Sequence, residues 1–252
     1  MNSKILGLLE YNKITDLLAG YAGSELARQR IAALEPMTNM RMVSDALTET
    51  TEAVSVILYK GTIPVGETGD VRDLLRMARK GRCLSMRELL QVRLSLAVTA
   101  QVKRFLSSDM PDNLRIIAEI AELLAPVPQL EKDIDSAILS SDEMADNASP
   151  ALKSIRRDIR NKNDQIKSRL SKYTGSSSAQ YLQDTIVTIR NGRYVIPVKR
   201  EYASHVPGLV HDQSSTGATL FIEPQSIVHM NNELRQLEMD EQAEITRILQ
   251  AF

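Results

Sequence analysis

The sequence predicts a mainly helical protein with one small antiparallel β module. Aromatic residues make up only 4% of the 252 residues and Trp is absent, while the helix formers Leu, Ala, Glu and Arg are abundant. Apolar side chains recur at helical spacing along most of the chain. A single stretch alternates instead with period two around an Asn-Gly pair, which is typical of a hairpin.

Residues 1–149 are predicted to form a helical core domain. Two amphipathic stretches come first, over Ile5–Leu18 and Leu26–Leu34, and the second ends before Pro36. Three further stretches run over Val43–Leu58, from the capping box Ser85-Met86-Arg87-Glu88 to Phe105, and over Asn113–Leu124.

Residues 150–180 are predicted to contain one long exposed helix, which ends at Gly175-Ser176-Ser177-Ser178. A turn-rich stretch over Ser140–Pro150 precedes it, with Ser149 as N-cap and Pro150 in the first helical position. The apolar residues of this helix form one narrow seam, and Lys and Arg fill most other positions; the seam consists of Leu152, Ile155, Ile159, Ile166, Leu170 and Tyr173.

Residues 181–226 are predicted to form a β-rich module. The runs Ile186–Arg190 and Arg193–Lys199 flank Asn191-Gly192, a pair that readily adopts the positive φ angles of a type I′ turn. A second antiparallel pair is expected from Gly208–His211 and Thr219–Ile222. Because proline lacks an N–H, Pro197 predicts that its strand lies at an edge or at a bulge.

Residues 227–252 carry a second narrow seam and are predicted to form a descending helix, antiparallel to the rising one. No C-capping residue precedes Phe252, so we expect this helix to be truncated there. The expected arrangement is a helical core and two long helices that carry the β module.

Charge is distributed unevenly along the chain. Lys and Arg outnumber Asp and Glu by 12 to 3 in residues 150–200, whereas acidic residues are in excess on both sides of that segment. Such a local excess indicates a contact with a polyanion. The candidate nucleic-acid-binding residues are Arg156, Arg157 and Arg160 on the rising helix and Arg190, Arg193, Lys199 and Arg200 on the hairpin.

The helix cations have an alternative partner within the chain. The descending helix is acidic, so the same cations can either pair with it or contact nucleic acid; its acidic residues are Glu233, Glu238, Asp240, Glu241 and Glu244. The hairpin cations have no obvious internal partner, which favours nucleic acid for them.

Several function classes find little support. Cys83 is the only cysteine, which excludes an intramolecular disulfide and a thiolate zinc cage. No Gly-Lys pair is present, so these residues contain no phosphate-binding loop. Without a signal peptide or a long apolar run, we expect a cytoplasmic protein that contacts no membrane. His211, Asp212 and Glu223 are a weaker candidate for a metal hydrolase site.

Four stretches carry a resemblance to a known family, and together they span essentially the whole chain. They are LEYNKITDLLAGYAGSELARQRIAALEP, SPALKSIRRDIR, IVTIRNGRYVIPVKREYASHVPGLVHDQSSTGATLFIEP and NNELRQLE. The sequence resembles the bacterial MutS paralogue that lacks the mismatch-recognition domains. The resemblance implies a core domain over 1–149, a rising lever helix over 150–180, a clamp over 181–226 and a descending lever helix over 227–252.

The resemblance also implies a function for the longer protein. It would be a homodimeric ATPase, with ATP and Mg²⁺ bound outside this segment and a C-terminal endonuclease domain. Its partners would be branched DNA and ribosomal RNA, with roles in suppressing recombination and in ribosome rescue. This segment holds no catalytic group or cofactor site of its own and would contribute non-specific phosphate contacts. The alternative is a coiled-coil interaction scaffold that does not bind nucleic acid.

Overall fold

The computed structural model describes residues 3–66, 68–111 and 113–252, and these residues divide into two compact units. The first unit ends at Ala145 and also includes Phe252, and the second spans Asp146–Ala251. The mainly helical fold with a small antiparallel sheet is confirmed. The finer division into core, lever helices and clamp stays a prediction.

The first unit is helical. Its elements are α1 (Ser3–Leu8), α2 (Tyr11–Ala19), α3 (Glu25–Ala32), α4 (Met40–Lys60), α5 (Arg72–Arg79), α6 (Met86–Leu106), α7 (Arg115–Leu123) and α8 (Pro128–Ala137). The predicted capping box at the start of α6 is present, with the Ser85 and Glu88 side chains each bonded to the other's backbone N–H.

Two predictions for the first unit need correction. The stretch expected to be one helix over Ile5–Leu18 is divided into α1 and α2, because Glu10 takes a left-handed conformation with φ 51°. Helices α5 and α8 were not predicted. Pro128 begins α8 at its first turn, where a proline costs no hydrogen bond.

One core of the first unit joins α4, α6 and α7. Val56, Leu106 and Ile117 are buried there together. Leu114, at the N-cap of α7, has no polar side chain to cap the helix, and the carboxylate of Glu52 on α4 accepts a hydrogen bond from the Ile117 backbone N–H at 2.8 Å instead. A buried carboxylate therefore satisfies a helix N-terminus from a neighbouring helix.

The second unit is a pair of long helices that carry a sheet. Its elements are α9 (Pro150–Thr174), a 3₁₀ helix (Ser176–Tyr181), β1 (Thr188–Arg190), β2 (Arg193–Lys199), a second 3₁₀ helix (Arg200–His205), β3 (Gly208–Gln213), β4 (Thr219–Pro224) and α10 (Gln225–Gln250). The Ser149 hydroxyl accepts a hydrogen bond from Leu152 N–H, which confirms the predicted N-cap of α9.

The four strands form an antiparallel sheet in the order β1-β2-β4-β3. Both predicted strand pairs are confirmed, and Asn191 and Gly192 have φ angles of 51° and 72°, as the Asn-Gly turn requires. Gly208 permits the approach of β3 to β4, since a Cβ there would lie 2.1 Å from the Glu223 carbonyl oxygen.

The position predicted for Pro197 is wrong, because β2 lies between β1 and β4. Pro197 is opposite Phe221 on β4, and its carbonyl accepts a hydrogen bond from Gln183 N–H on the other side. The nitrogen and carbonyl of a strand residue point to the same side, so the proline nitrogen also faces away from β4. Since β1 extends only to the partner of Val195, the missing N–H breaks no ladder bond.

The core of the second unit lies between the sheet and the adjoining parts of both helices. Ile166 and Leu170 of α9, Ile196 and Ile222 of the sheet and Ile227 of α10 are almost fully buried together. The predicted seam of α9 therefore does more than join two helices. Its C-terminal half also supports the sheet.

Candidate nucleic-acid interface

Helices α9 and α10 run antiparallel and are joined by charged pairs at the edges of their seams. The Lys162 ammonium lies 2.9 Å from the Glu233 carboxylate, and the Arg156 guanidinium lies 2.7 Å from Glu241 and 2.6 Å from Asp146. Arg156, the earlier residue on α9, pairs with the later residue Glu241 on α10, and Lys162 pairs with the earlier Glu233. This order confirms that the two helices are antiparallel. The acidic helix thus neutralises part of the predicted basic surface.

The electrostatics of these pairs agree with their geometry. Burial lowers the pKa of Arg156, but its hydrogen bonds to Glu241 and Asp146 outweigh that effect and hold the pKa above its ordinary value. The hydrogen bond from Lys162 lowers the pKa of Glu233, which stays ionised at neutral pH. Arg156 is only 18% exposed, so its predicted role in binding nucleic acid competes with an internal role.

A different row of cations lies on a solvent-exposed face of α9, away from the seam. Lys153, Arg157, Arg160 and Lys167 are spaced by four, three and seven residues, which places them on one face of a helix. All four are exposed, Arg157 at 64% and Arg160 at 59% of the side chain. Asp164 also lies in this row. We call these four cations the outward row.

The outward row has few competing contacts. Arg157 lies 3.2 Å from Asp158 and Arg160 lies 3.1 Å from Asp146, and both are exposed surface pairs. Lys153 and Lys167 have no ion pair among the residues that the structure describes. Exposed pairs contribute only about 0–1 kcal/mol, so Arg157 and Arg160 can exchange their carboxylates for phosphates at little cost.

Arg193 of the hairpin faces inward. Its guanidinium lies 2.8 Å from the carboxylate of Glu223, which is fully buried, and donates a second hydrogen bond to Asn232 at 2.5 Å. The expectation that the hairpin cations have no internal partner is wrong for this residue. Glu223 lies in β4 directly after the core residue Ile222. Only the tertiary structure shows that its carboxylate is buried and needs a cation.

Two further side chains complete the hydrogen bonding of Glu223. Asn231 donates to it at 2.7 Å and also bonds the backbone N–H and carbonyl of Tyr194, which fastens α10 to β2. His211 Nε2 lies 2.5 Å from the other carboxylate oxygen. The β-bulge between Val210 and Asp212 takes His211 out of the ladder and turns it toward Glu223.

Arg190 has an internal partner as well. Its Nε lies 3.3 Å from Asp212, and its guanidinium stacks over the Phe221 ring at 4.2 Å from the centroid. Cation–π stacking and a half-exposed ion pair hold this side chain along the sheet. The prediction that it has no partner is therefore wrong, whereas its role in binding nucleic acid stays a prediction.

Lys199 and Arg200 lie at the end of β2 and the start of the 3₁₀ helix that follows. Their hydrogen bonds are made to carbonyl oxygens, with Lys199 donating to Gln180 at 3.2 Å and Arg200 to Gly217 at 3.1 Å. Neither has a carboxylate partner within the described residues. These two cations keep their full charge for an external anion.

The candidate metal site is only partly assembled. His211 and Glu223 do meet, as proposed, but Arg193 and Asn231 bond the Glu223 carboxylate and Asp212 pairs with Arg190. Within residues 3–66, 68–111 and 113–252, no group of three or more His, Cys, Asp or Glu is arranged to hold a metal ion. The hydrogen bonds identify this cluster as a support of the sheet.

The structure brings forward several residues that are not among the seven candidate nucleic-acid-binding residues. Lys153 and Lys167 belong to the predicted basic helix, and their four- and seven-residue spacings from Arg157 and Arg160 indicate the outward row. No signal in the sequence points to Asn231, because Tyr194 on β2 is 37 residues away along the chain and only folding brings the two together.

The fold and the site together define a class of protein: a helical unit followed by a helix pair that carries a small sheet and an exposed basic face. None of the described helices is long and apolar enough to cross a bilayer. No family model matches the chain.

Comparison with curated proteins identifies the family. Endonuclease MutS2 of Clostridium botulinum (strain Eklund 17B / Type B) is 43% identical over 253 residues, covering 100% of this chain and 32% of that protein. The proteins of the same name from Alkaliphilus oremlandii (strain OhILAs), 42% identical over 251 residues, and Clostridium perfringens (strain SM101 / Type A), 44% identical over 250, each match 99% of this chain and 32% of their own length.

The chain therefore belongs to the MutS paralogue family and corresponds to a segment of its members, as its resemblance implied. It spans about a third of the length of the curated relatives it matches.

Proposed function

We propose that this chain is a nucleic-acid-binding segment of a MutS-family protein, and that it contacts phosphates through the outward row of α9 together with Lys199 and Arg200. The observation that carries the proposal is the set of exposed cations without a buried internal partner. Lysines and arginines of this kind release counterions when they meet phosphates, which gives binding that is independent of base sequence and sensitive to salt.

The length of the outward row supports a contact with a duplex. The 14 residue steps from Lys153 to Lys167 span about 21 Å at about 1.5 Å per residue. Successive phosphates of one strand follow each other at about 3.4 Å along the duplex axis, so the row matches about six base pairs. The outward row is therefore long enough to reach several backbone phosphates of a duplex at once.

For the longer protein we propose the function that its family membership suggests. It forms a homodimer that encloses branched DNA or ribosomal RNA, binds ATP and Mg²⁺ outside these 252 residues, and acts in suppressing recombination and in ribosome rescue. Dimer closure raises the effective concentration of each weak contact, so the single segment binds much more weakly than the dimer.

The experiment is a charge reversal of the outward row in the 252-residue chain. Lys153, Arg157, Arg160 and Lys167 are replaced together by Glu, and affinity for a four-way DNA junction and for a ribosomal RNA hairpin is measured by fluorescence anisotropy. Loss of four phosphate contacts should weaken both affinities by about 100-fold at moderate salt. A greater loss for one ligand would indicate the preferred target.

The matched control reverses four exposed cations of the first unit, Arg41, Arg79, Arg87 and Lys132, which changes the net charge equally. These side chains have no ion pair in the described part of the chain. The control should retain most of the affinity. An equal loss in both variants would show that net charge alone drives binding. Unchanged affinity in the outward-row variant would overturn the proposal and favour the interaction scaffold, whose apolar contacts are insensitive to salt.

A further inference from the structure

Three rings are clustered in the second unit, with His205 exposed and Tyr181 and Tyr202 half-buried, and neither the phosphate contacts nor the buried network involves them. The Tyr181 ring stacks on His205 with centroids 4.9 Å apart and an interplanar angle of 27°. Tyr202 lies 5.3 Å from Tyr181 and meets the edge of His205 at 5.8 Å. We call these three residues the ring cluster.

The two 3₁₀ helices of the second unit build the ring cluster. Tyr181 ends the first of them, and Tyr202 and His205 lie one turn apart on the second, at the i and i+3 positions that eclipse each other in a 3₁₀ helix. Two short helices from opposite ends of the β1–β2 hairpin therefore bring their rings to one place.

Packing of the core does not explain the ring cluster. The core beneath it is aliphatic, and of the three rings only Tyr202 packs against it. His205 is exposed, and its side chain makes one hydrogen bond, with the Ser204 hydroxyl at 3.4 Å. In a chain with only 4% aromatic residues, stacked rings at the surface are an unusual use of them.

Lys199 and Arg200, which have no carboxylate partner among the described residues, flank the ring cluster. Lys199 donates its hydrogen bond to the carbonyl of Gln180, the residue before Tyr181, and Arg200 begins the 3₁₀ helix that holds Tyr202 and His205. Glu201 is the acidic residue of that helix, so the local excess is one positive charge. Proteins that bind single-stranded nucleic acids combine aromatic rings, which stack on the bases, with nearby cations, which contact the phosphates.

We propose that the ring cluster is a stacking platform for unpaired nucleotide bases, with Lys199 and Arg200 holding the adjoining phosphates. This inference rests on the proposed function and adds to it a ligand class, because the outward row suits a duplex whereas the ring cluster suits a splayed or single strand. A base that continues the Tyr181–His205 stack covers a ring face, and every base can do so regardless of sequence.

The experiment compares three single strands of equal charge with one another, and includes a duplex as a separate reference. Binding of the 252-residue chain to dT20, to rU20, to an abasic strand of 20 units and to a 20-base-pair duplex is measured by anisotropy at one salt concentration. Stacking is worth roughly 1–3 kcal/mol per base, so dT20 and rU20 should bind about 5- to 160-fold more tightly than the abasic strand. Because Trp is absent, quenching of tyrosine emission provides a second measure of stacking.

The variants separate stacking from folding. The double variant Tyr181→Leu/His205→Ala should reduce affinity for dT20 to the abasic level and leave duplex binding unchanged. His205→Ala alone removes an exposed side chain outside the core and keeps the test valid if the double variant unfolds. Tyr21→Leu is the matched control, since Tyr21 is 88% exposed in the first unit and should have no effect.

The outcomes distinguish the two proposals. Equal affinity for dT20 and the abasic strand, alongside normal duplex binding, overturns the ring cluster as a platform and leaves the proposed function standing. Unchanged dT20 affinity in His205→Ala and in the double variant also overturns it. Failure of every ligand to bind overturns the proposed function, and the platform with it.

Discussion

The inner and outer sides of the second unit use the same side chain for different purposes. Arg193 is 27% exposed and compensates a fully buried carboxylate, whereas Arg157 is 64% exposed and has only a surface partner. The two residues contribute equally to the basic excess of residues 150–200. The comparison shows that the number of cations overstates the surface available to a polyanion, because burial commits some of them to the fold.

The two sides should therefore respond oppositely to mutation. Removal of an inner cation leaves a buried charge without a partner, which costs stability. Removal of an outer cation costs almost no stability and should cost affinity instead. Four measurements test this contrast.

The largest effect is expected at Arg193. Replacement by Ala leaves the Glu223 carboxylate buried with only His211 and Asn231 as partners, and should lower the free energy of unfolding by about 3–5 kcal/mol. Urea unfolding followed by circular dichroism measures this. Arg190→Ala, which breaks a half-exposed pair on the same hairpin, should cost about 1 kcal/mol or less. Equal losses for the two variants would contradict the contrast.

A second effect concerns salt dependence at the end of the hairpin. Neutralisation of Lys199 and Arg200 to Gln should reduce the slope of log affinity against log salt by about 2, so that the wild type loses about tenfold more affinity than the variant between roughly 50 and 200 mM salt. Arg190→Gln should reduce the slope by less than about 1, because Asp212 already compensates that charge. A larger change for Arg190 would reverse their assigned roles.

A third effect is expected at acidic pH, where protonation of Glu244 weakens its hydrogen bonds and the contact between α10 and the start of α9. Hydrogen bonds from Arg247 and then Ser149 lower the pKa of Glu244 from 4.5 to about 2. Because the folded pKa is lowered, this stabilisation is complete above about pH 4.5 and is lost as the pH falls toward 2. Glu244→Gln should cost about 1 kcal/mol at neutral pH and flatten the acid limb of unfolding.

The control for that measurement is Glu238→Gln on the same helix. Glu238 contacts Arg235 at 3.4 Å in an exposed pair, so its replacement should leave the acid limb unchanged. An acid limb that is equally steep in the wild type and in Glu244→Gln would show that other carboxylates govern it.

The smallest effect on stability is expected on the outer side. Arg157→Ala and Arg160→Ala should each change the free energy of unfolding by no more than about 0.5 kcal/mol, because both side chains are exposed and their pairs are weak. Urea unfolding under the conditions used for Arg193→Ala provides the comparison. A loss of about 2 kcal/mol or more would show that these arginines stabilise the fold, as Arg193 does, and would contradict the contrast.

Local signals in the sequence predicted the elements that depend on local chemistry. The capping box at Ser85, the N-cap at Ser149 and the Asn191-Gly192 turn are each satisfied by atoms within a few residues. Prediction failed where the deciding partner is distant. Nothing near Pro197 shows that β1 ends before it, and nothing near Leu114 shows that Glu52 caps its helix.

The sequence alone determined the fold class, the strand pairs and the basic segment, because hydrophobic period, turn residues and charge are properties of neighbouring positions. Only the tertiary structure decided which cations of that segment are available. A guanidinium near a buried carboxylate stays paired with it, because an unpaired charge in the interior costs much free energy. An exposed guanidinium has at most a weak surface partner and can bind an external anion. Folding brings Glu223 to Arg193 and leaves the outward row exposed to solvent. It thereby decides which cations are structural and which can bind an anion.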